Sequence, residues 1–290
     1  MVTCGPPAGS VPGMVAVPTP RTAPGREALD AIVAEPGRAV VAVDFDGTLA
    51  PIVADPEQAR AHPGAVPALS RLAPRLCAVA VITGRPVEAA VRYGGFEGAA
   101  GLDHLTVLGA YGAERWDAAT GTVRRPEPPV EIENLRRELP TLLEELRAPE
   151  GTWVEDKGRA LAVHTRRAED PAGAFALLRE PLAALAERHG LRAEPGRMVM
   201  ELRPHGVDKG AALAEFVRAA GAGAVLYAGD DLGDLAAFSA VEKLRGEGVP
   251  GLLVCSGSDE VTELAERADL TVNGPAGVVD LLERLADSLR

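Results

Sequence analysis

Short apolar runs rich in β-branched residues recur along the chain, at Ala39–Val43 (AVVAV), Ala78–Ile82 (AVAVI), Leu105–Leu108, Ala224–Tyr227, Gly251–Cys255 and Leu270–Val272. Runs without polar alternation mark strands buried on both faces. Amphipathic segments separate most of them, at Val66–Leu72, Val87–Tyr93, Gly210–Arg218, Leu232–Ser239 and Val278–Leu289, and a further helical stretch, Arg26–Ala34, precedes the first. Strand and helix alternate, which predicts a parallel sheet covered on both sides.

The rhythm changes between Trp116 and about Leu202. A turn (DAATG, Asp117–Gly121) leads to a long helix over Glu131–Arg147, strands near Trp153 and over Leu161–Thr165, a second long helix over Pro171–His189, and a strand near Met198–Leu202. This predicts an α+β cap at residues 116–203, inserted into a Rossmann-like α/β core made of residues 26–115 and 204–290. Residues 1–25 hold six of the 24 prolines and offer little periodic apolar surface, so a flexible tail is expected there.

Composition narrows the function. With 47% hydrophobic and 25% charged residues the chain has the balance of a globular protein. Thirty Lys and Arg against 42 Asp and Glu give a net charge of −12, which repels nucleic acid and anionic lipid, so any phosphate chemistry needs local positive charge or a cation. Cys4, Cys77 and Cys255 are too few and too scattered for a disulfide framework or a metal knuckle, and Cys77 and Cys255 border strands where inert thiols are expected. Neither a membrane-spanning run nor a secretory signal is visible. The expectation is a cytoplasmic monomer with a small-molecule substrate.

Chemistry gathers where the apolar runs end. Asp44 and Asp46 follow the first strand and precede Gly47 and Thr48, at the sheet edge where α/β proteins bind ligands. Two carboxylates so close repel each other, and a hard cation such as Mg²⁺ would hold both ionised. Thr83, Gly84, Arg85 and Pro86 follow the second run; this is either a phosphate cradle at a helix start or an ordinary helix cap. Lys209 opens a later helix and could reach a phosphoryl oxygen. Asp230, Asp231 and Asp234 follow the Ala224–Tyr227 run, where capping would use one or two of them and a metal the rest.

In that order the four motifs resemble those of the haloacid dehalogenase-like phosphohydrolase superfamily. Within it the chain is most similar to the trehalose-6-phosphate phosphatase family, through DFDGTLAPIV (from Asp44), GAYGAERW (Gly109–Trp116), EDKGRALAVHTR (Glu155–Arg166) and MELRPHGVDKG (Met200–Gly210). The resemblance spans about Val40 to Leu282. It implies Asp44 as nucleophile and Asp46 as general acid and base, with phosphate held by Thr83, Gly84 and Lys209. It also implies Mg²⁺ bound by Asp44, the main-chain carbonyl of Asp46 and Asp230, with Asp231 and Asp234 in support. Glu155, Lys157 and Glu201 match the family's sugar-binding residues; the plainer alternative for the set is a surface charge run at a strand end. Two departures stand out: the family often has histidine at Tyr111, and its last motif often reads Asp-Asp-x-Thr-Asp-Glu-Asp where this chain has DDLGDLA.

Rival readings are a phosphatase for sucrose 6-phosphate or a glycosyl-phosphoglycerate, a sugar phosphomutase, and an inactive sensor of the sugar phosphate. The glycosyl-phosphoglycerate reading predicts extra Arg or Lys facing the site from the cap. The five histidines, His62, His104, His164, His189 and His205, show no metal spacing and are expected to be structural or superficial. Trp153 is expected in the cap core rather than as a sugar platform.

Overall fold

The computed structural model describes residues 16–53, 55–257 and 262–289. In chain order the helices are α1 (Ala23–Ala34), α2 (Ala65–Leu72), α3 (Val87–Gly94), α4 (Val130–Glu145), α5 (Pro171–Arg188), α6 (Lys209–Ala219), α7 (Leu235–Gly246), α8 (Thr262–Arg267) and α9 (Gly274–Ser288). The strands are β1 (Ala39–Val43), β2 (Ala78–Ile82), β3 (Leu105–Gly109), β4 (Glu114–Asp117), β5 (Thr122–Arg124), β6 (Trp153–Asp156), β7 (Leu161–His164), β8 (Leu191–Gly196), β9 (Val199–Pro204), β10 (Ala224–Gly229), β11 (Gly251–Gly257) and β12 (Leu270–Asn273).

One sheet runs β12-β11-β10-β1-β2-β3-β4-β5, parallel from β12 to β3 and antiparallel beyond. Its centre shows why the first run lacks polar residues. Val41 and Val43 of β1 pack with α1, α2 and α9, whereas Val40 and Ala42 pack with α6 and α7. Each successive side chain meets a different helical layer, so each must be apolar. The order places β1 between β10 and β2, bringing three motif-bearing strand ends side by side.

A second, antiparallel sheet, β6-β7-β9-β8, is backed by α4 and α5 on one face only. Leu161, Val163, Met200 and Leu202 point to the helices and join Ile132, Leu135, Leu178 and Leu182 in a separate core. The period of two then turns Glu201 and Arg203 of β9, with Val199, to the opposite face.

The structure moves one expected boundary. β4 and β5 extend the larger sheet, and Trp116 of β4 is buried in its core, so residues 116–124 lie with the core rather than in the insertion. The turn at Asp117–Gly121 is therefore a hairpin bend on the sheet edge. At the N-terminus, residues 1–15 of the expected tail lie outside the described residues. The Arg21 side chain bonds Ala268 O at 2.6 Å and α1 starts at Ala23, so the rest of that stretch is held on the core. No helix among the described residues is long and apolar enough to cross a membrane.

Candidate active site

Asp44 sits at the carboxyl end of β1, where its N–H extends the ladder to Ala228 O at 2.8 Å. Its Oδ1 lies 2.9 Å from Nζ of Lys209, the first residue of α6. Lys209 also bonds Asp234 Oδ1 at 2.7 Å. Asp234 is fully buried and saturated: Tyr227 donates its hydroxyl to Oδ1 at 2.6 Å, while the N–H groups of Asp230 and Asp231 donate to Oδ2 at 3.0 and 3.1 Å. Asp231 in turn caps the short turn over Leu232–Asp234, accepting from Gly233 N at 2.9 Å. The acidic cluster is thus divided between shaping the β10–α7 turn and facing the site.

Carboxylate oxygens of Asp44, Asp230 and Asp234 all lie within 4.8 Å of one another. Since Asp234 already accepts from four donors, Asp44 and Asp230 are the two with lone pairs to spare. Gly47 makes this approach possible, because a Cβ there would fall 1.9 Å from Asp230 Oδ2 and its φ of +74° is in the left-handed region. Ser256 of β11 fixes the same loop through a 2.7 Å bond to Gly47 O.

The cluster carries more negative charge than Lys209 can neutralise. Burial pushes Asp44 well above the usual carboxylate range against the pull of Lys209, with Asp234 and Asp230 adding to the rise. Burial, then the charges of Asp234 and Asp231, push Asp230 up to about 8. Burial works against the Lys209 ammonium, yet Asp234 and Asp44 hold its pKa well above the ordinary value. Hard oxygen donors, buried and short of positive charge, fit Mg²⁺.

Asp46 lies outside this trio. Arg85 forks onto it, Nε to Oδ2 and Nη2 to Oδ1, both at 2.7 Å. Thr83 at the end of β2 is buried, and its Oγ1 accepts from Arg85 N at 3.2 Å, leaving its own proton to donate.

Across a cleft of about 260 Å³ the open face of the second sheet presents Trp153, Glu155, Lys157, His164, Arg166 and Val199 opposite Asp44, Asp46, Thr83, Gly84, Lys209 and Asp231. His164 Nε2 lies 2.9 Å from Glu155 Oε2, and its ring stacks on Trp153 at 4.4 Å between centroids. Arg167 covers the Trp153 ring at 4.3 Å. Trp153 lies not in the expected cap core but on the cleft, where it has stacking partners of its own and braces His164. Burial would raise Glu155, but the bond from His164 and the charge of Lys157 hold it below the usual range.

Glu201 is buried behind this wall rather than on it. Lys157 Nζ bonds its Oε1 at 3.2 Å and the Tyr111 hydroxyl bonds its Oε2. The structure therefore gathers eight of the eleven expected residues around one cleft, with Asp230 and Asp234 beneath its floor and Glu201 behind Lys157. Arg85, Tyr111 and His164 are the residues that sequence reasoning passed over or left without a partner. The adjacency of Arg85 to Thr83 gave a local signal; the pairing of Tyr111 with Glu201, 90 positions apart, gave none. His164 lines the cleft, against the expectation of a structural or surface histidine.

The core architecture is the haloacid dehalogenase-like α/β fold: a haloacid dehalogenase-like hydrolase from Bacteroides thetaiotaomicron superposes with a TM-score of 0.58 over 85% of this chain and 98% of its own, at 14% identity. The C-terminal domain of C. albicans trehalose-6-phosphate phosphatase superposes at 0.73 over 94% and 99%, at 21% identity. The trehalose-phosphatase family model matches residues 42–272, and the chain belongs to that family. A trehalose-phosphate phosphatase of Mycolicibacterium paratuberculosis is 36% identical over 253 residues, covering 85% of this chain and 61% of the relative. The chain thus spans about three-fifths of the length of that relative.

Proposed function

We propose that the protein is a Mg²⁺-dependent phosphatase that hydrolyses trehalose 6-phosphate to trehalose and phosphate through an aspartyl-phosphate. The observation that carries this reading is the Asp44–Lys209 pair beside Asp230, set across one cleft from Glu155 and Lys157. Asp44 and Asp230 would hold Mg²⁺ with their carboxylates and Asp46 with its main-chain carbonyl, while Asp231 and Asp234 support the cluster. The bound cation would offset the charge on the phosphoryl oxygens and keep Asp44 ionised.

A carboxylate oxygen of Asp44 attacks phosphorus in line, forming an Asp44–phosphoryl bond as the bond to the sugar oxygen breaks. Asp46 gives its proton to that departing oxygen. Water then loses a proton to Asp46 and attacks the same phosphorus, releasing phosphate and regenerating Asp44. To carry its proton Asp46 gives up one of the two bonds to Arg85, which keeps the carboxyl aimed through the other. Thr83 and the Gly84 N–H donate to phosphoryl oxygens, and Lys209 steadies both these and Asp44. Glu155 and Lys157 face the sugar, with Glu201 behind them; a neutral disaccharide needs such directional acceptors and donors.

Phosphate release from trehalose 6-phosphate tests the reaction. The expected result is turnover with Mg²⁺ that stops with EDTA and returns when Mg²⁺ is restored; turnover indifferent to chelation would remove the cation from the scheme. Arg166 on the cap wall favours one second reading, since a glycosyl-phosphoglycerate would bring a carboxylate for an arginine to bind.

A further inference from the structure

The helix that follows the Thr83–Arg85 loop starts without a cap of its own. Pro86 stands at the cap position of α3 and offers no side-chain acceptor. The acceptor for Val87 N comes instead from Glu114 of β4, 27 positions on, whose Oε2 lies 2.8 Å away. Gly109 at the end of β3 allows this approach, because a Cβ there would fall 2.6 Å from Val87 N. The residues between Gly109 and Glu114 also hold the loop's carbonyls, since Ala110 N donates to Arg85 O at 2.7 Å and Tyr111 N to Thr83 O at 2.9 Å. Glu114 thus completes a frame of bonds around the loop, while Thr83 and Gly84 stay on the cleft.

A buried carboxylate needs a counter-charge, and here it arrives from the root of the cap. Arg125 is the first residue after β5, where the chain leaves the core for α4. Its Nε donates to Glu114 Oε1 at 2.8 Å, and its Nη2 pairs with Glu88 of α3. From the cap side, Arg159 donates to Pro126 O at 2.9 Å and to Glu127 O. This first crossing between core and cap is therefore gripped at both ends, by Arg125 to the core and by Arg159 to the cap. The Glu114 side chain is 3% exposed and that of Arg125 43%, so the crossing is the end of the pair that water can loosen.

We propose that Glu114 is a positioning residue that joins the phosphate-binding loop to the root of the cap, one carboxylate oxygen setting the start of α3 and the other anchoring the first crossing through Arg125. The proposal rests on the sugar phosphatase reading above and goes beyond it in saying what keeps the loop and the cap in register. Glu114 does not line the cleft, so it acts through Val87 and Arg125 and not by touching substrate.

The two oxygens can be separated by substitution. Glu114→Gln keeps an oxygen for Val87 N but turns an NH₂ group toward Arg125; Arg125→Ala removes the anchor alone, and Glu114→Ala removes both contacts. Each variant is compared with the wild type, with Mg²⁺, through kcat/KM for trehalose 6-phosphate and for 4-nitrophenyl phosphate. Competitive inhibition by inorganic phosphate reports on the loop without a sugar. Arg125→Ala and Glu114→Gln are each expected to lose about fivefold more on the sugar ester than on the aryl ester, with the phosphate inhibition constant moving less than about twofold. Adding Arg125→Ala to Glu114→Gln is expected to cost no more than about twofold further, since the pair is already broken. Glu114→Ala is expected to weaken phosphate inhibition as well, by about five- to tenfold. Additive losses in the double variant, or a phosphate constant unmoved in Glu114→Ala, would overturn the proposal. If Glu114→Ala does not fold, as judged by melting, the cycle of Glu114→Gln and Arg125→Ala decides alone. A wild type that does not prefer the sugar ester would instead defeat the underlying reading, and the phosphate constants would still decide whether Glu114 sets the loop.

Discussion

At the scale of single residues, the site is organised by Asp234 rather than by the two aspartates nearest the chemistry. Four donors from Lys209, Tyr227 and two main-chain N–H groups end on it, in a place with no solvent to replace them. Asp234→Ala is expected to cost about 3–5 kcal/mol, because it leaves the buried Lys209 ammonium with Asp44 as its remaining close carboxylate and strands three other donors. At roughly 3 °C per kcal/mol this would lower the melting temperature by about 10 °C, and a shift near zero would contradict the hub role. Asp44→Asn changes shape little but removes the nucleophile; loss of at least about a thousandfold in turnover, with binding kept, is expected. Both aspartates are legible in the sequence because each follows a strand end. Their division of labour is not, since it depends on Tyr227 and Lys209 arriving from other elements.

Among elements, the parallel strands are the most legible part of the fold. β1 and β2 fall where their apolar runs predict, since burial on both faces leaves no room for polar residues. β4, β5 and β8 are harder to read: ERWD opens on Glu114, which is buried and bonded to Val87 N and Arg125, TVR is exposed at the sheet edge, and LRAEPG carries a proline within a strand that pairs only with β9. Trp116 decides where β4 belongs. Packed in the large core, Trp116→Ala is expected to cost about 3–5 kcal/mol in a denaturant melt of the whole protein. A loss confined to sugar selectivity would return that strand to the insertion. The second sheet makes a different prediction. Its open face presents His164 and Glu155 as a pair, so His164→Ala and Glu155→Ala should each impair the sugar ester more than the aryl ester. Comparable losses on both substrates would take that pair out of recognition.

For the whole molecule, the net charge of −12 is concentrated to effect where Asp44, Asp231 and Asp234 share one lysine and Asp230 lies beside Asp44 and Asp234. Burial, then the charges of Asp234 and Asp231, push Asp230 up to about 8 from the usual carboxylate value of 3.8. The folded state then binds more protons than the unfolded one between those values, so this group's share of stability is present at low pH and is lost as pH rises toward 8. In EDTA the melting temperature is therefore expected to fall between pH 6 and pH 8. Mg²⁺ replaces the proton, so its stabilising shift should be larger at pH 8 than at pH 6; a shift that shrinks would argue against Asp230 as a ligand. The most direct test of the account is kcat/KM with Mg²⁺ across trehalose 6-phosphate, sucrose 6-phosphate, glucosyl-3-phosphoglycerate and glucose 6-phosphate. The account predicts that trehalose 6-phosphate leads by at least about tenfold, a preference one or two well-placed polar contacts can supply. A lead for glucosyl-3-phosphoglycerate or another ester would contradict the assigned substrate, and release from none would contradict the phosphatase itself.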